Sequence, residues 1–376
     1  MQQPLWDDML PAYDRDEEQA LVALSLVPGV GPWRIRSLLA RFGRASAVFR
    51  APYAALSAIP GIGPSTCEAI RTFDDSQAIE NQMKCAAALG AALVVAGSEE
   101  FPRLLAETYD PPAFLWVRGD VSALHRPSVA VIGTRRPSDY GRRVAFEIAE
   151  ALARSGITVV SGFAYGIDRR AHEGALAAGG RTAAVLGSGI DVIYPGSHVQ
   201  LAESVVGSGC LVSEFPFGTK PDAPNFPRRN RIVSGLTLGT IVVEAHETGG
   251  ALITARLAIE QNREVFAVPS PVHARTGSGT NRLIRDGHAR LIETAEDVLL
   301  DLGLTDHAGS QSEQPPPPQL SGLEEVLFDA LTTEPVHIDS LGARTDLDSS
   351  TALVYLLNLE FKGLVRQMAG KQFFRA

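Results

Sequence analysis

Short β-branched runs alternate with helix-period stretches across residues 91–301, and no other feature of the chain restricts its fold as much. The runs are Ala92-Leu93-Val94-Val95, Val129-Ala130-Val131-Ile132, Thr158-Val159-Val160, Ala183-Ala184-Val185-Leu186, Thr240-Ile241-Val242-Val243 and Val265-Phe266-Ala267-Val268. Helical periodicity fills residues 140–154, 167–178 and 251–262 between them. Strands that are apolar along their whole length must be covered on both faces, which predicts an α/β, Rossmann-like, doubly wound parallel sheet. In such a sheet ligands bind at the carboxyl ends of the strands, where the strand order reverses. The loops that follow the strands are therefore where chemistry is expected.

The chain has 376 residues, which leaves room for flanking domains on both sides of this core. In residues 1–80, Leu26-Val27-Pro28-Gly29-Val30-Gly31-Pro32 recurs as Ala58-Ile59-Pro60-Gly61-Ile62-Gly63-Pro64. Each copy leads into a helical pattern and reads as a helix-hairpin-helix unit. Its glycines permit positive φ and bare the N–H groups of a helix start, an arrangement that suits a nucleic-acid phosphate and allows contact with duplex DNA. A SAM-like helical bundle without that role fits the same pattern, and the flanking acids Asp14, Asp16, Glu17, Glu18, Asp74 and Asp75 oppose DNA binding. After the core domain, taken as residues 81–304, residues 305–319 form a linker that ends in four prolines and reads as extended and semi-rigid. Residues 320–376 then show three short helical patterns and a turn at Gly370 between two strand patterns, the order of a winged helix. Its third helix is apolar and preceded by Asp346 and Asp348, which favours protein contact or packing over duplex reading.

Composition narrows the function class. Hydrophobic residues make up 45% and charged residues 20%, far from the signature of disorder. No apolar run approaches the roughly 18 residues of a membrane span, and the first residues resemble no export signal. Cys67, Cys85 and Cys210 form neither a disulfide framework nor a zinc motif, so a reducing cytoplasm is the expected setting and no metal is expected. With 43 acidic against 34 basic residues the net charge is −9, so any nucleic-acid site must be a local basic patch. Lysine occurs only at Lys84, Lys220, Lys362 and Lys371; the other basic residues are arginines, which bind phosphate bidentately.

Four post-strand loops carry the candidate residues. Gly133-Thr134-Arg135-Arg136 lacks the second and third glycines of the dinucleotide fingerprint and offers Arg135 where that fingerprint holds a pyrophosphate. Ser161-Gly162-Phe163-Ala164-Tyr165-Gly166 turns tightly into a helix that carries Asp168, Arg169 and His172. Asp168 and His172, four apart, read as an acid–base or metal pair, or as a helix cap with a surface hydrogen bond. The third segment, residues 216–233, reads as a long loop rich in proline, with Phe226 next to Arg228, Arg229 and Arg231. An aromatic among cations is what single-stranded nucleic acid needs: a face for a base, charges for its phosphates. A buried phenylalanine beside a solvated basic face is the alternative. The fourth, Glu244-Ala245-His246-Glu247-Thr248-Gly249-Gly250, again opens a helix with glycines and suits a phosphate.

In order, these motifs resemble the DNA-processing protein A (DprA/Smf) family. The matching pieces are Tyr109-Asp110-Pro111-Pro112, Trp116-Val117-Arg118-Gly119, Gly133-Thr134-Arg135, Ser161-Gly162-x-Ala164-x-Gly166-Ile167-Asp168-x-x-Ala171-His172, Phe226-Pro227-x-Arg229-Asn230-Arg231-Ile232 and Asn281-x-Leu283-Ile284-x-x-Gly287. The resemblance implies a non-catalytic, cytoplasmic protein, without cofactor, that binds and protects incoming single-stranded DNA in natural transformation and loads RecA recombinase onto it. It implies a homodimer whose face includes Leu283, Ile284, Leu291 and Ile292. Arg135 matches the family's DNA-binding arginine and Phe226 its stacking aromatic, with Arg229, Asn230 and Arg231 lining one pocket. The DNA-binding set becomes Gly133, Thr134, Arg135, Arg136, Ser161, Gly162, Arg169, Lys220, Phe226, Arg228, Arg229, Asn230, Arg231, His246, Gly249 and Gly250. The chain departs from the family pattern in lacking a lysine at 222–225, and in carrying His246 and Thr248-Gly249-Gly250 where a lysine and a Ser-Gly-Ser turn are usual. An enzyme reading competes: Val243-Glu244-Ala245 is similar to nucleotide phosphoribohydrolases, with Glu244 in the catalytic place, although their preceding glycine turn is not reproduced.

Overall fold

The computed structural model describes residues 15–304, 320, 322–332, 335–362, 364–368 and 370–375. The linker expected at 305–319 lies outside the described residues, as do the first residues of the chain and Asp14. The described residues fall into two compact units, 15–304 and 320–375.

The first unit begins with six helices: α1 (Arg15–Leu26), α2 (Pro32–Phe42), α3 (Ala45–Phe49), α4 (Tyr53–Ser57), α5 (Pro64–Arg71) and α6 (Ser76–Leu89). The two glycine-rich repeats form matching hairpins between α1 and α2 and between α4 and α5. Gly29 and Gly61 both take φ +79°, and Gly31 and Gly63 cap α2 and α5, each of which opens on a proline whose missing N–H costs nothing there. Arg34 fastens the hairpins together, its guanidinium donating to the Gly61 carbonyl at 2.9 Å and to the Gly29 carbonyl. The flanking acids have structural work. Buried Glu17 accepts from the backbone N–H groups of Ala45 and Ser46, and Asp75 caps α6 by accepting from Ala78 at 2.8 Å.

The sheet follows: β1 (Ala91–Val95), α7 (Arg103–Ala106), β2 (Phe114–Gly119), β3 (Ser128–Ile132), α8 (Asp139–Arg154), β4 (Thr158–Ser161), α9 (Ile167–Ala177), β5 (Thr182–Val185), α10 (Val199–Ser208), β6 (Cys210–Ser213), α11 (Asn225–Gly235), β7 (Gly239–Val242), α12 (Gly250–Glu260), β8 (Glu264–Ala267), α13 (Ser278–Arg285), β9 (Arg290–Leu291) and α14 (Ala295–Asp301). Its nine strands run in the order β1-β2-β6-β5-β4-β3-β7-β8-β9. Neighbours from β6 to β9 are parallel, as expected. The sheet is not purely parallel, because β2 pairs antiparallel with both β1 and β6. Alternation along β3 explains the double cover: Val129 and Val131 pack with α8, α9 and α14, while Ala130 and Ile132 pack with α11 and α12. The helical repeat shares a third apolar cluster with the sheet, in which Leu21, Leu24 and Leu38 join Trp116 and Phe217.

The segment around Phe226 corrects the sequence reading. Only residues 216–224 are loop; Asn225 begins helix α11, which carries Phe226 and all three arginines. Pro227 falls in the first turn of that helix, where no intrahelical partner needs its absent N–H. Asp168 and His172 are a second correction: both are buried, so neither makes a surface bond. Asp168 accepts from the Ala164 N–H at 3.2 Å. His172 Nδ1 lies 2.7 Å from the Thr182 hydroxyl, which itself donates to the Val159 carbonyl. That hydroxyl has spent its proton, so Nδ1 carries one and donates to it, and buried Nε2, without a hydrogen-bond partner, fits a neutral imidazole.

The second unit consists of α15 (Gly322–Ala330), β10 (Val336–His337), α16 (Ile338–Thr345), α17 (Ser349–Phe361), β11 (Val365–Met368) and β12 (Gln372–Arg375). Three helices and the β11–β12 hairpin are the winged helix expected, with one addition: β10 pairs with β12 and makes the sheet three-stranded. Leu327, Leu341, Leu356 and Phe373 form its core. Asp348, read as an acidic front, caps α17 by accepting from Ser350 and Thr351.

Burial pushes the pKa of His172 down to about 3 from 6.5. The unfolded chain binds a proton here that the folded chain refuses, so this contribution to stability is complete above about pH 6.5 and lost as the pH falls toward 3. Urea unfolding of wild type and His172→Gln at several pH values should show the wild-type stability falling more steeply below pH 6.5, by up to about 1.4 kcal/mol per pH unit. Parallel curves for the two proteins contradict this assignment.

Candidate nucleic-acid interface

Strand order reverses between β3 and β7, since β3 leads to β4 on one side while β7 and β8 lie on the other. A cavity of about 570 Å³ opens there, at the carboxyl ends of the strands. Its walls are the turn after β3, one face of α11 and the start of α12. Ten of the sequence-derived residues meet in it: Gly133, Thr134, Arg135, Arg136, Phe226, Arg229, Asn230, His246, Gly249 and Gly250.

Close packing explains the glycines. A Cβ on Gly133 would stand 2.5 Å from Ile167 and 2.8 Å from the Glu244 carbonyl oxygen. Gly166, at φ +83°, lets the Ile167 N–H reach the Thr134 carbonyl at 3.2 Å. The post-β3 turn is thus clamped between β7 and α9, which leaves Arg135 and Arg136 exposed above it. The Arg135 guanidinium lies over the Phe226 ring, 5.0 Å from its centroid, and Tyr194 tilts against the same ring at 5.9 Å. Sequence reasoning missed Tyr194. Its only signal was an aromatic beyond the end of β5, and nothing local linked it to Phe226.

Arg229 is 4% exposed, with its guanidinium over Gly162, where a Cβ would stand 1.5 Å from Nη1. Burial lowers its pKa to about 10 against the opposing pull of Asp168, so it stays charged at neutral pH. Asp168 is raised by its own burial, with Arg229 acting against the rise. The start of α12 faces these cations: Gly249 is its N-cap, Gly250 is open to solvent, and no side chain caps it. Exposed His246 completes the rim. Two guanidiniums, free N–H groups and an aromatic face equip the cavity for a base and its phosphates.

Other expected residues stand elsewhere. Ser161 is fully buried and donates to the Val131 carbonyl, while Gly162 forms the floor under Arg229. Arg169 is paired with Glu173 at 2.7 Å, and Lys220 is exposed on the 216–224 loop. Arg228 faces the opposite side of α11, because positions two apart on a helix do not share a face. Arg231 does not line the expected pocket either. It is buried, held by the Glu214 carboxylate, and donates to the Asp110 carbonyl at 2.6 Å, so it serves the fold. Of the expected dimer residues, Leu283 and Ile284 are partly buried and Leu291 is 51% exposed on edge strand β9. Ile292 is 1% exposed and belongs to this chain's own core, since side chains alternate along the strand.

Glu244 bears on the enzyme reading. Its carboxylate accepts from the Ser138 N–H at 2.9 Å, the Ser138 hydroxyl at 2.5 Å and the Thr276 hydroxyl at 3.3 Å. A Cβ on Gly141 would stand 2.3 Å from it. Both oxygens are committed at the start of α8, away from the cavity, so Glu244 anchors a helix. Among the described residues no cluster of His, Cys, Asp and Glu is placed to hold a metal, and no helix is long and apolar enough to cross a membrane.

Comparison with known proteins bears on the same site. Residues 92–303 match the family described as DNA recombination-mediator protein A, and residues 311–371 match the DprA winged helix domain. Protein Smf of Synechocystis is 34% identical over 96% of this chain and 99% of its own length, and Protein Smf of Escherichia coli is 40% identical over 74% and 76%. The crystal structure of DNA processing protein A from Streptococcus pneumoniae superposes with a TM-score of 0.67 at 30% identity, covering 76% of this chain and 97% of that one. A Helicobacter pylori DNA processing protein A, whose structure is described for its single-stranded DNA binding mode, has a TM-score of 0.51 at 32% identity, over 55% and 94% of the two chains. A chain with this sheet, this winged helix and these relatives belongs to the DprA/Smf family of DNA-processing, recombination-mediator proteins.

Proposed function

We propose that the switch-point cavity binds single-stranded DNA, and that the protein protects incoming strands in natural transformation or recombination and loads RecA recombinase onto them. The observation that carries the reading is the Phe226 ring at the cavity, covered by Arg135 at 5.0 Å and faced by the uncapped start of α12. An exposed cation–π contact is worth about 0.5–1 kcal/mol, and a stacked base about 1–3 kcal/mol. An incoming base therefore displaces Arg135 from the ring, and the guanidinium turns to the adjoining phosphate. Arg229 and the N–H groups of α12 hold the next charges without reading sequence. The Helicobacter pylori relative, described as binding single strands, supports the ligand class. RecA loading, the cytoplasmic setting and the homodimer rest on the family resemblance; for the homodimer, Leu291 and Leu300, 51% and 70% exposed beside edge strand β9, offer an apolar face.

Fluorescence anisotropy with a labelled single strand checks the cavity. Phe226→Ala should weaken binding about 5- to 150-fold and leave duplex binding nearly unchanged. Arg135→Ala should flatten the salt dependence by roughly 0.7 in log–log slope. Wild-type behaviour in both variants sinks the reading. In a RecA assembly assay on pre-coated single strands, wild type should shorten the nucleation lag and Phe226→Ala should not; equal lags remove the loading role. Sedimentation should show a dimer that Leu291→Arg converts to monomer, whereas an unchanged sedimentation coefficient moves the interface elsewhere.

A further inference from the structure

Helix α11 separates two depressions. Phe226, Arg229 and Asn230 face the cavity described above, and Arg228 faces a groove of about 410 Å³ on the other side, against the helical repeat. Pro227 and Ile253 line both, so the two are continuous over a low apolar saddle on which Ile253 is 44% exposed. The groove holds Trp33, 49% exposed, and Arg36, whose guanidinium sits 5.2 Å over the ring of Tyr109, itself 86% exposed. Arg228 reaches across to the first hairpin, where a Cβ on Gly31 would come within 3.1 Å of its Nη2. Trp33 in the groove and Tyr109 beside it, with exposed Arg228 and half-buried Arg36, repeat the chemistry of the Phe226 cavity a short step away.

We infer that this groove, built jointly by the helical repeat and α11, is a second single-strand subsite, and that the strand leaves the Phe226 cavity over Pro227 and Ile253 to reach it. The inference rests on the proposed function and deepens it. The availability of individual arginines decides the direction. The cavity also adjoins a depression beside α9 through Arg135 and Arg136, but the arginines that this depression adds are already engaged: Arg169 and Arg170 share the Glu173 carboxylate, Arg169 at 2.7 Å, and Asp139 holds Arg142. On the hairpin side, Arg36 and Arg228 make no salt bridge among the described residues: Arg36 donates to the Tyr109 carbonyl, Arg228 lies 5.9 Å over the Phe215 ring near buried Glu214, and the one acid lining the groove, Asp110, lies against Arg231 at 3.4 Å. A polyanion gains more from cations that make no salt bridge than from cations already engaged with a carboxylate. Trp33 and Tyr109 then offer faces to bases beyond the one on Phe226.

The test is anisotropy with thymidine oligonucleotides of about four and about twenty nucleotides, at several salt concentrations. The proteins are wild type, Phe226→Ala, Arg36→Glu/Arg228→Glu and Arg169→Glu/Arg170→Glu, each checked for folding by thermal melting. The expected result is that Arg36→Glu/Arg228→Glu cuts the long-over-short affinity ratio at least about tenfold and flattens the salt slope for the long strand by roughly 1.4, two phosphates' worth. Arg169→Glu/Arg170→Glu should keep the wild-type ratio. The inference is overturned if the ratio survives in Arg36→Glu/Arg228→Glu, as it will when the gain with length comes from a second protomer, or if it collapses only in the α9 pair. Should the hairpin-side pair not fold, Arg36→Gln/Arg228→Gln is read by the same criteria. Failure of the cavity reading is separate and visible: Phe226→Ala would then bind the short strand like wild type.

Discussion

Two arginines buried on one helix hold the functional end of this molecule together. A buried guanidinium without a counter-charge costs several kcal/mol, so the positions of Arg229 and Arg231 are tied to those of their acids. Arg231 is bound to Glu214 after β6 and to Asp110 before β2, which draws together segments more than a hundred residues apart. Arg229 lies over Gly162 within the field of Asp168, at the start of α9. With two sides of the helix so anchored near its middle, α11 lies across the carboxyl ends of the strands, and Phe226 in its first turn has little freedom left.

The same economy governs the opposite wall. Glu244 ends β7 by taking the Ser138 N–H and hydroxyl, which fixes where α8 begins and how the post-β3 turn is held. Thr134 donates to the Glu244 carbonyl at 2.8 Å, so the backbone and side chain of one glutamate position the whole turn that carries Arg135. Charges in this region divide into two kinds. Buried Arg231 is spent on Glu214 and Asp110 and builds the frame, whereas buried Arg229 lines the cavity beside exposed Arg135 and Arg136, which make no salt bridge among the described residues. A net charge of −9 is compatible with polyanion binding because arginines without a salt bridge gather locally at the cavity.

Much of this was legible in the chain. The apolar runs gave the parallel core, and the proline- and glycine-marked repeats gave the hairpins with their positive φ. Post-strand position identified Gly133 to Arg136 and His246 to Gly250, because a doubly wound sheet gathers those loops at one edge. Several features escaped, among them strands β6 and β9, which lack a β-branched run, and the contact of Tyr194 with Phe226. Strand β2 was hidden because a single antiparallel strand in a parallel sheet has no periodicity of its own, and α11 was masked by prolines that a helix tolerates in its first turn. Arg228, Arg229 and Arg231 looked equivalent in sequence, yet one faces a groove, one is the cavity's buried cation and one is internal.

The sequence by itself determined most strands and helices of the core, their order and the strand-end loops that would converge. Those are properties of local pattern and of covalent geometry. Only the tertiary structure decided which arginines are spent on carboxylates and which are free, that Glu244 and Asp168 serve the frame, and that the helical repeat closes a groove against α11. The reason is physical: whether a charge is available depends on what lies within a few ångströms of it, and residues such as Arg231 and Asp110, or Arg228 and Gly31, become neighbours only when the chain has folded.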